Sequence, residues 1–482
     1  MKGKVLRWLM ILGCLIVATS TLVSAAGKHG RIRDITKATL ENNCQKLKAD
    51  VRTLGVSDPR LEASLETLGL CEAQLGDLRG AASTFERLVG LDPNLWQAWN
   101  NLGGSYVALG RPSEALDAFR HAAELKPSNP SVLFGLGKAL TILSRNSQAY
   151  RVVDRAYQLQ PTDPQIKNLR QTLARTLAEQ AEASVNEHRY KEARTLLLEV
   201  ADVFRNSASW NDLIGFSELK LGDAKPALNH LQQAVSLDPD NEDYLLDLGE
   251  CFLIFKAYHA AQTTFEAGTS RFSGSPAMVL ALGLTAEFEG RHHYAISILG
   301  KLIRSNPNFI PAYAVLGTAL ENARDWQGMV DLGKKLEVLE PSDGRGEYLV
   351  GAGLFMMAGG NPDTVAKAQI ALQRSVRLDP NFPRAHFLLA KVFESQGKDR
   401  ETIAQLRETL LLDPNDAEAH YVLGMAYARV GQTKLAKEEL QRHRRIEMER
   451  NDTSRRLVVL ESVNGKATKR RPTGVALDQK KR

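Results

Sequence analysis

The chain has 482 residues, 43% of them hydrophobic and 6% aromatic, a length that by itself allows three ordinary domains. Its formal charge of +6 is unevenly placed: the first 26 residues carry +3 and the last 31 carry +6, which leaves −3 on residues 27–451. That sign excludes a broad basic nucleic-acid face from the body of the chain and confines any such affinity to the carboxy-terminal tail.

Residues 1–26 read as an export signal. Lys2, Lys4 and Arg7 precede an apolar run from Trp8 to Ala18, and the small residues Val23-Ser24-Ala25 fit a leader-peptidase site, so the mature chain is expected to begin near Ala26 or Gly27 in the periplasm or outside the cell. A retained membrane anchor over Trp8 to Val23 is the alternative. Cys14 follows Ile11-Leu12-Gly13, a loose lipobox, but the apolar run continues past it, unlike a lipidation site. Cys44, Cys71 and Cys251 remain after cleavage, without the Cys-x-x-Cys spacing that zinc or thioredoxin chemistry requires.

From residue 27 to 61 only the second half is patterned, through Leu47, Val51, Leu54 and Pro59, which suits an amino-terminal cap. A clear unit starts at Glu62 with Leu65, Leu68, Gly69, Gly76, Ala81, Phe85 and Pro93. The next, from Trp96 to Asn129, explains the pattern. Trp99, Leu102, Gly103 and Tyr106 recur at i, i+3, i+4 and i+7 and form one helical stripe, in which the glycine admits a neighbour. Ala115, Phe119 and Ala122 line a second helix, Gly110 permits the reversal between them, and Pro127 stops the second helix by restricting Lys126. This spacing resembles the 34-residue tetratricopeptide repeat at every signature position. The resemblance implies an all-α solenoid, a right-handed superhelix of helix-turn-helix units. One such pair cannot cover its own apolar faces and must stack on neighbours.

The copy at 130 keeps Leu133, Leu136, Gly137, Ala149, Ala156 and Pro161 and closes a first sub-stack, 62–163. Ten residues, Pro164 to Leu173, then break the phase. Neither glycine nor proline occurs from Gln165 to Glu187, which predicts one helix of about 23 residues, roughly 35 Å long, within a junction segment 164–207. A second sub-stack, 208–451, follows with copies at 208, 242, 276, 310, 344, 383 and 417. The copy at 344 is longer because Ala358-Gly359-Gly360-Asn361-Pro362-Asp363 widens its internal turn. The expected total is about eleven repeats plus the cap. Residues 452–482 hold nine basic and three acidic residues with Gly465, Pro472 and Gly474, and are expected to be disordered.

No His-Glu-x-x-His, Gly-x-Ser-x-Gly or phosphate-loop sequence occurs, so no catalytic, metal or cofactor site is expected. His292-His293 reads as a solvated turn, and His386 and His420 take the place of Trp99 between packed helices. The Lys/Asn clamp of chaperone-adaptor relatives is absent, since Asn100 fits one place and Gly104 stands in the next. With the helices placed by the repeat, Cys44 and Cys71 fall at neighbouring helix ends and form the candidate disulfide.

In the family the first helix of each copy faces the concave groove, through positions two, five, nine, twelve and thirteen. By that resemblance the second sub-stack lines its groove with Phe216, Leu246, Leu280, Leu284, Phe288, Tyr348, Phe355, Met356, Phe387, Tyr421 and Met425, and the first offers a polar set including Asn100, Asn101 and Lys138. An aromatic and methionine-rich lining suits a protein or peptide partner. The sequence thus points to a non-catalytic scaffold or adaptor of the cell envelope. Two alternatives stand beside it: a binder of anionic surfaces (membrane, polysaccharide or nucleic acid) acting through the tail, and an enzyme with an unrecognised site in the groove.

Overall fold

A computed structural model describes residues 31–449; the readings for 1–26 and 452–482 lie outside the described residues. The described chain forms 24 helices and no strand, and divides between Arg205 and Asn206 into two compact units.

The first unit opens with α1 (Arg31–Thr53), followed by the pairs α2 (Leu61–Leu75) with α3 (Leu78–Leu91), α4 (Trp96–Ala108) with α5 (Pro112–Leu125), and α6 (Pro130–Ile142) with α7 (Asn146–Leu159). It ends with the 23-residue α8 (Pro164–Asn186), α9 (Tyr190–Glu199) and the single turn α10 (Ala201–Phe204). The second unit holds seven pairs: α11 (Ala208–Lys220) with α12 (Ala224–Leu237), α13 (Glu242–Ile254) with α14 (Tyr258–Arg271), α15 (Pro276–Phe288) with α16 (His292–Ser305), α17 (Pro311–Asn322) with α18 (Trp326–Leu339), α19 (Gly344–Met357) with α20 (Pro362–Leu378), α21 (Pro383–Ser395) with α22 (Asp399–Leu412), and α23 (Ala417–Arg429) with α24 (Thr433–Glu449). With α8 and α9 as the eleventh, the pairs occupy the eleven expected copies.

Local chemistry sets the helix ends. Asn129 accepts hydrogen bonds from the N–H groups of Ser131 and Val132, and Asp163 from those of Gln165 and Ile166, in each case just ahead of a proline at the first helical position. The turn inside a pair needs one left-handed residue. Gly76, Gly110, Gly222 and Gly290 supply it with φ of 74° to 83°, while Ser144, His188, Lys256 and Arg324 adopt φ of 58° to 60° without that freedom. Within a pair the glycine of the first helix meets a large side chain of the second. A Cβ on Gly103 would lie 2.9 Å from the Phe119 ring, and one on Gly249 2.2 Å from that of Phe265.

The amino-terminal cap is one continuous helix, α1, because 31–53 contains neither glycine nor proline to turn it. The turn expected to widen at 358–363 is four residues, 358–361, one longer than its neighbours, and most of the extra length enters the second helix: Asn361 caps the Asp363 and Thr364 N–H groups, Pro362 takes the first helical position, and α20 runs for 17 residues.

The long α8 belongs to the packing of the first unit. Arg170 pairs with Asp154 of α7 at 2.6 Å and with Asp202 of α10, while its guanidinium lies 4.6 Å from the Tyr157 ring centroid. The Cys44 and Cys71 sulfurs are bonded, with Cα atoms 5.7 Å apart, tying α1 to α2. Beside that link the buried Glu72 accepts from Lys48 at 3.1 Å and Thr84 at 2.6 Å. In the second unit α18, α19 and α20 approach backbone to backbone: a Cβ on Gly333 would meet the Gly346 carbonyl oxygen at 2.7 Å, and Ser375 Oγ donates to the Gly344 carbonyl at 2.7 Å.

Candidate functional site

From α1 to α9 in the first unit and from α11 to α24 in the second each helix packs on its successor, and first helices also touch the first helices of neighbouring copies, as α11 does α13, α13 does α15, and α15 does α17. How tightly they close decides which expected groove residues are open. Leu280 and Leu284 of α15 are buried, in one apolar cluster with Val315, Leu316 and Ala319 of α17. Tyr348 is 8% exposed, its ring 4.9 Å from that of Phe382 and 5.7 Å from the Arg384 guanidinium. Burial pushes its phenol up to about 12, against the opposing pull of Arg384. These three are therefore core residues in the free chain and not groove anchors.

The remainder of the set is open to different degrees. Phe216 lies under the Lys220 ammonium at 5.0 Å, Phe288 stacks on Tyr258 at 6.0 Å, and Leu246, Phe355 and Phe387 are partly buried against the core. Met356, Tyr421 and Met425 are 51%, 46% and 38% exposed. Exposure thus concentrates on α19 and α23. In the first unit Asn100 and Asn101 are half-buried, Lys138 sits 5.5 Å above the Phe134 ring, and Asn100 Oδ1 is enclosed without a hydrogen-bond partner among the described residues. Such an acceptor suits a donor brought by a bound chain.

Charged side chains along the second unit's first helices are largely engaged. Lys220 pairs with Glu250 at 2.6 Å, Arg384 with Glu321 at 2.7 Å, and Arg429 with both Asp399 and Glu394. Glu287 accepts from Asn322 at 2.9 Å and faces His292 Nδ1 at 3.0 Å, so His292 is tied to the helix before it and is not a solvated turn residue. Among the described residues no group of three or more His, Cys, Asp or Glu side chains is placed to hold a metal ion. The Cys251 thiol is buried in α13, and burial, followed by Glu250 and Asp247, pushes it up to about 12.

One recurring device escaped the sequence reading. The fourth residue of several repeat copies, those starting at 96, 310, 383 and 417, donates to the carbonyl of the proline six positions earlier: Trp99 to Pro93 at 2.9 Å, Tyr313 to Pro307 at 2.9 Å, His386 to Pro380 at 3.1 Å and His420 to Pro414 at 3.0 Å. Trp, Tyr and His are interchangeable there because each offers an N–H or O–H on a flat ring. The other ring nitrogens of His386 and His420 face Gln405 and Glu439, at 2.8 Å and 2.5 Å, so both imidazoles fasten second helices.

These observations define an α-helical repeat protein with an aromatic and methionine-bearing first-helix face. Tetratricopeptide-repeat family profiles match residues 67–130 and 213–276, and a second such profile matches 106–173. Residues 67–173 and 213–276 are tetratricopeptide repeats. No curated protein matches it in sequence. Among solved structures, MamA is 23% identical, covering 35% of this chain and 95% of its own with a TM-score of 0.30. Yeast Tom70 is 15% identical over 79% of this chain and 99% of its own, TM-score 0.38, and the anaphase-promoting-complex assembly Cut9–Hcn1 is 13% identical over 90% and 95%, TM-score 0.40.

Proposed function

We propose that the protein is a non-catalytic scaffold that holds a polypeptide partner against the first-helix face of its second unit. The observation that carries this reading is the row of Met356, Tyr421 and Met425, open to solvent at the end of the face where Phe355 and Phe387 are only partly covered. Large apolar side chains left open together mark interaction surfaces, and aromatic or methionine anchors in a groove are the usual means of holding a peptide or helix. The cell envelope is the proposed setting, supported by the charge and apolar pattern of residues 1–26.

Alanine at Phe355, Phe387 or Tyr421 tests the assignment. Each change should weaken partner capture by about 1–2 kcal/mol or more; the melt stays nearly unchanged for Tyr421→Ala and falls only a little for the half-buried Phe355 and Phe387. Variants that melt early and lose the partner only as they unfold would return these residues to the core. A second reading is favoured by the nine basic residues of 452–482: the tail holds an anionic surface. Binding to anionic vesicles that is lost at moderate salt, and that ignores the aromatic substitutions, would select it.

A further inference from the structure

We propose that the first-helix face of the second unit has an occupant within the same chain. The carboxy-terminal segment 452–482 lies along that face and competes with the polypeptide partner. The inference rests on the reading of that face as a binding surface, and it adds which segment occupies it when the partner is absent.

Charge is sorted between the two helix layers. Helices α11, α13, α15 and α17 carry eight carboxylates and a single cationic side chain, Lys220. Their companions α12, α14, α16 and α18 carry six Lys or Arg and three carboxylates. The negative charge therefore belongs to one layer; Asp212 and Glu218 are buried and Glu250, Glu287 and Glu321 are paired, so the carboxylates that reach solvent are Glu242, Asp243 and Asp247 of α13. Farther along, α19, α21 and α23 carry four cations against three carboxylates, and there Met356, Tyr421 and Met425 are exposed. Read backward from α23, the face is apolar first and acidic afterwards.

The segment after α24 has the same order. After Arg455-Arg456 comes its apolar run, Leu457-Val458-Val459-Leu460, and the basic clusters Lys469-Arg470-Arg471 and Lys480-Lys481-Arg482 follow. Its starting point is suitable too. His443 of α24 faces the Ala417 carbonyl at 2.8 Å and its ring lies 5.4 Å from that of Tyr421, so the last helix leads past the exposed end of the face. Reach is not limiting. From α23 back to α11 is six steps of about 10 Å between packed helices, roughly 60 Å in all. The 33 residues after Glu449 span about 100 Å when extended. A tether of this kind supplies an effective concentration in the millimolar range, so weak, salt-screened pairing is enough to keep the face occupied.

The test adds a fluorescent peptide of residues 452–482 to two full-length proteins at low salt. One is unchanged. The other carries Lys469→Gln, Arg470→Gln, Arg471→Gln, Lys480→Gln, Lys481→Gln and Arg482→Gln. The peptide should bind the neutralised chain at least tenfold more tightly than the unchanged one, because the tethered copy no longer competes. Asp243→Lys with Asp247→Lys, added to the neutralised chain, should weaken peptide binding at least tenfold, with circular dichroism reporting an intact fold. Equal affinity for both full-length proteins, or indifference to the charge reversal, overturns the proposal, as does a peptide that binds anionic vesicles but neither protein. If the peptide fails to bind while Phe355→Ala and Phe387→Ala still weaken partner capture, only the intramolecular occupant is wrong. If those substitutions also leave capture untouched, the binding face itself is wrong.

Discussion

The same substitution, glycine to alanine inside a helix, should have opposite signs at two positions of the second unit. Gly333 sits where α18 meets α19. A Cβ there would lie 2.7 Å from the Gly346 carbonyl oxygen and 2.9 Å from the Val350 nitrogen, both backbone atoms that no rotamer can move. Ordinary contact needs about 3.4 Å or more, so α19 must retreat by roughly 0.7 Å. It cannot do so freely, because Gly344 of the same helix is pressed on α20, where its own Cβ would stand 2.5 Å from the Ser375 carbonyl oxygen. Overpacking of this kind costs about 1–3 kcal/mol, and a contact on backbone belongs at the upper end. Better helix propensity returns a little under about 1 kcal/mol, so Gly333→Ala should destabilise by about 2 kcal/mol. Gly300 of α16 is the control: its Cβ would meet only the mobile end of Arg304 at 3.5 Å, and Gly300→Ala should stabilise by about 0.5–1 kcal/mol. At about 2–4 °C per kcal/mol for a unit of this size, calorimetry should show a fall of roughly 4–8 °C for the first and a rise of about 2 °C for the second. A neutral or stabilising Gly333→Ala would refute the backbone-to-backbone packing of α18 on α19.

Burial holds Tyr106, Tyr150 and Tyr348 at about 12, so the folded chain keeps these protons after the unfolded chain has lost them. That stabilisation is whole below pH 10 and declines between about pH 10 and 12; an ultraviolet titration should show part of the eleven tyrosines ionising only near the top of that range, together with a falling melting temperature. With its thiol held near 12 and fully enclosed, Cys251 should resist alkylation in the native chain at pH 8 and react on unfolding, and fast native labelling would contradict its placement. Reducing the Cys44–Cys71 bond, which spans 27 residues, should cost up to about 3 kcal/mol in the first unit and speed amide exchange in α1 before α4. Unchanged exchange in α1 would show that its packing on α2 does not depend on the link.

The repeat was legible because its signature positions are steric requirements. Gly103 faces Phe119 at a distance that excludes any side chain, and Gly249 faces Phe265 in the same way, so small and large residues had to recur at fixed spacing. The 23-residue α8 was legible for a related reason, the absence of any residue that could break it. The openness of the first-helix face was not legible. A repeat position tells which way Leu280 or Tyr348 points, but burial depends on how closely the next copy approaches, and that distance is set by residues such as Phe382 and Leu316 one copy away. Asn361 followed by Pro362 was a visible helix start, outweighed by the two glycines before it. The donors to proline carbonyls were equally visible as Trp, Tyr or His six residues after a proline, but the pattern is chemical and not hydrophobic, so periodicity alone passes over it.

The central claim, a partner held on the first-helix face of the second unit, is tested most directly by photocrosslinking from single positions. A crosslinkable residue at Met356 or Tyr421 probes that face, while one at Val338 of α18 or Leu411 of α22, each at least 75% exposed, probes the second-helix layer. The account predicts that, in extract, one and the same polypeptide is captured from Met356 and Tyr421 and not from Val338 or Leu411. Capture from Val338 and Leu411 alone would contradict it.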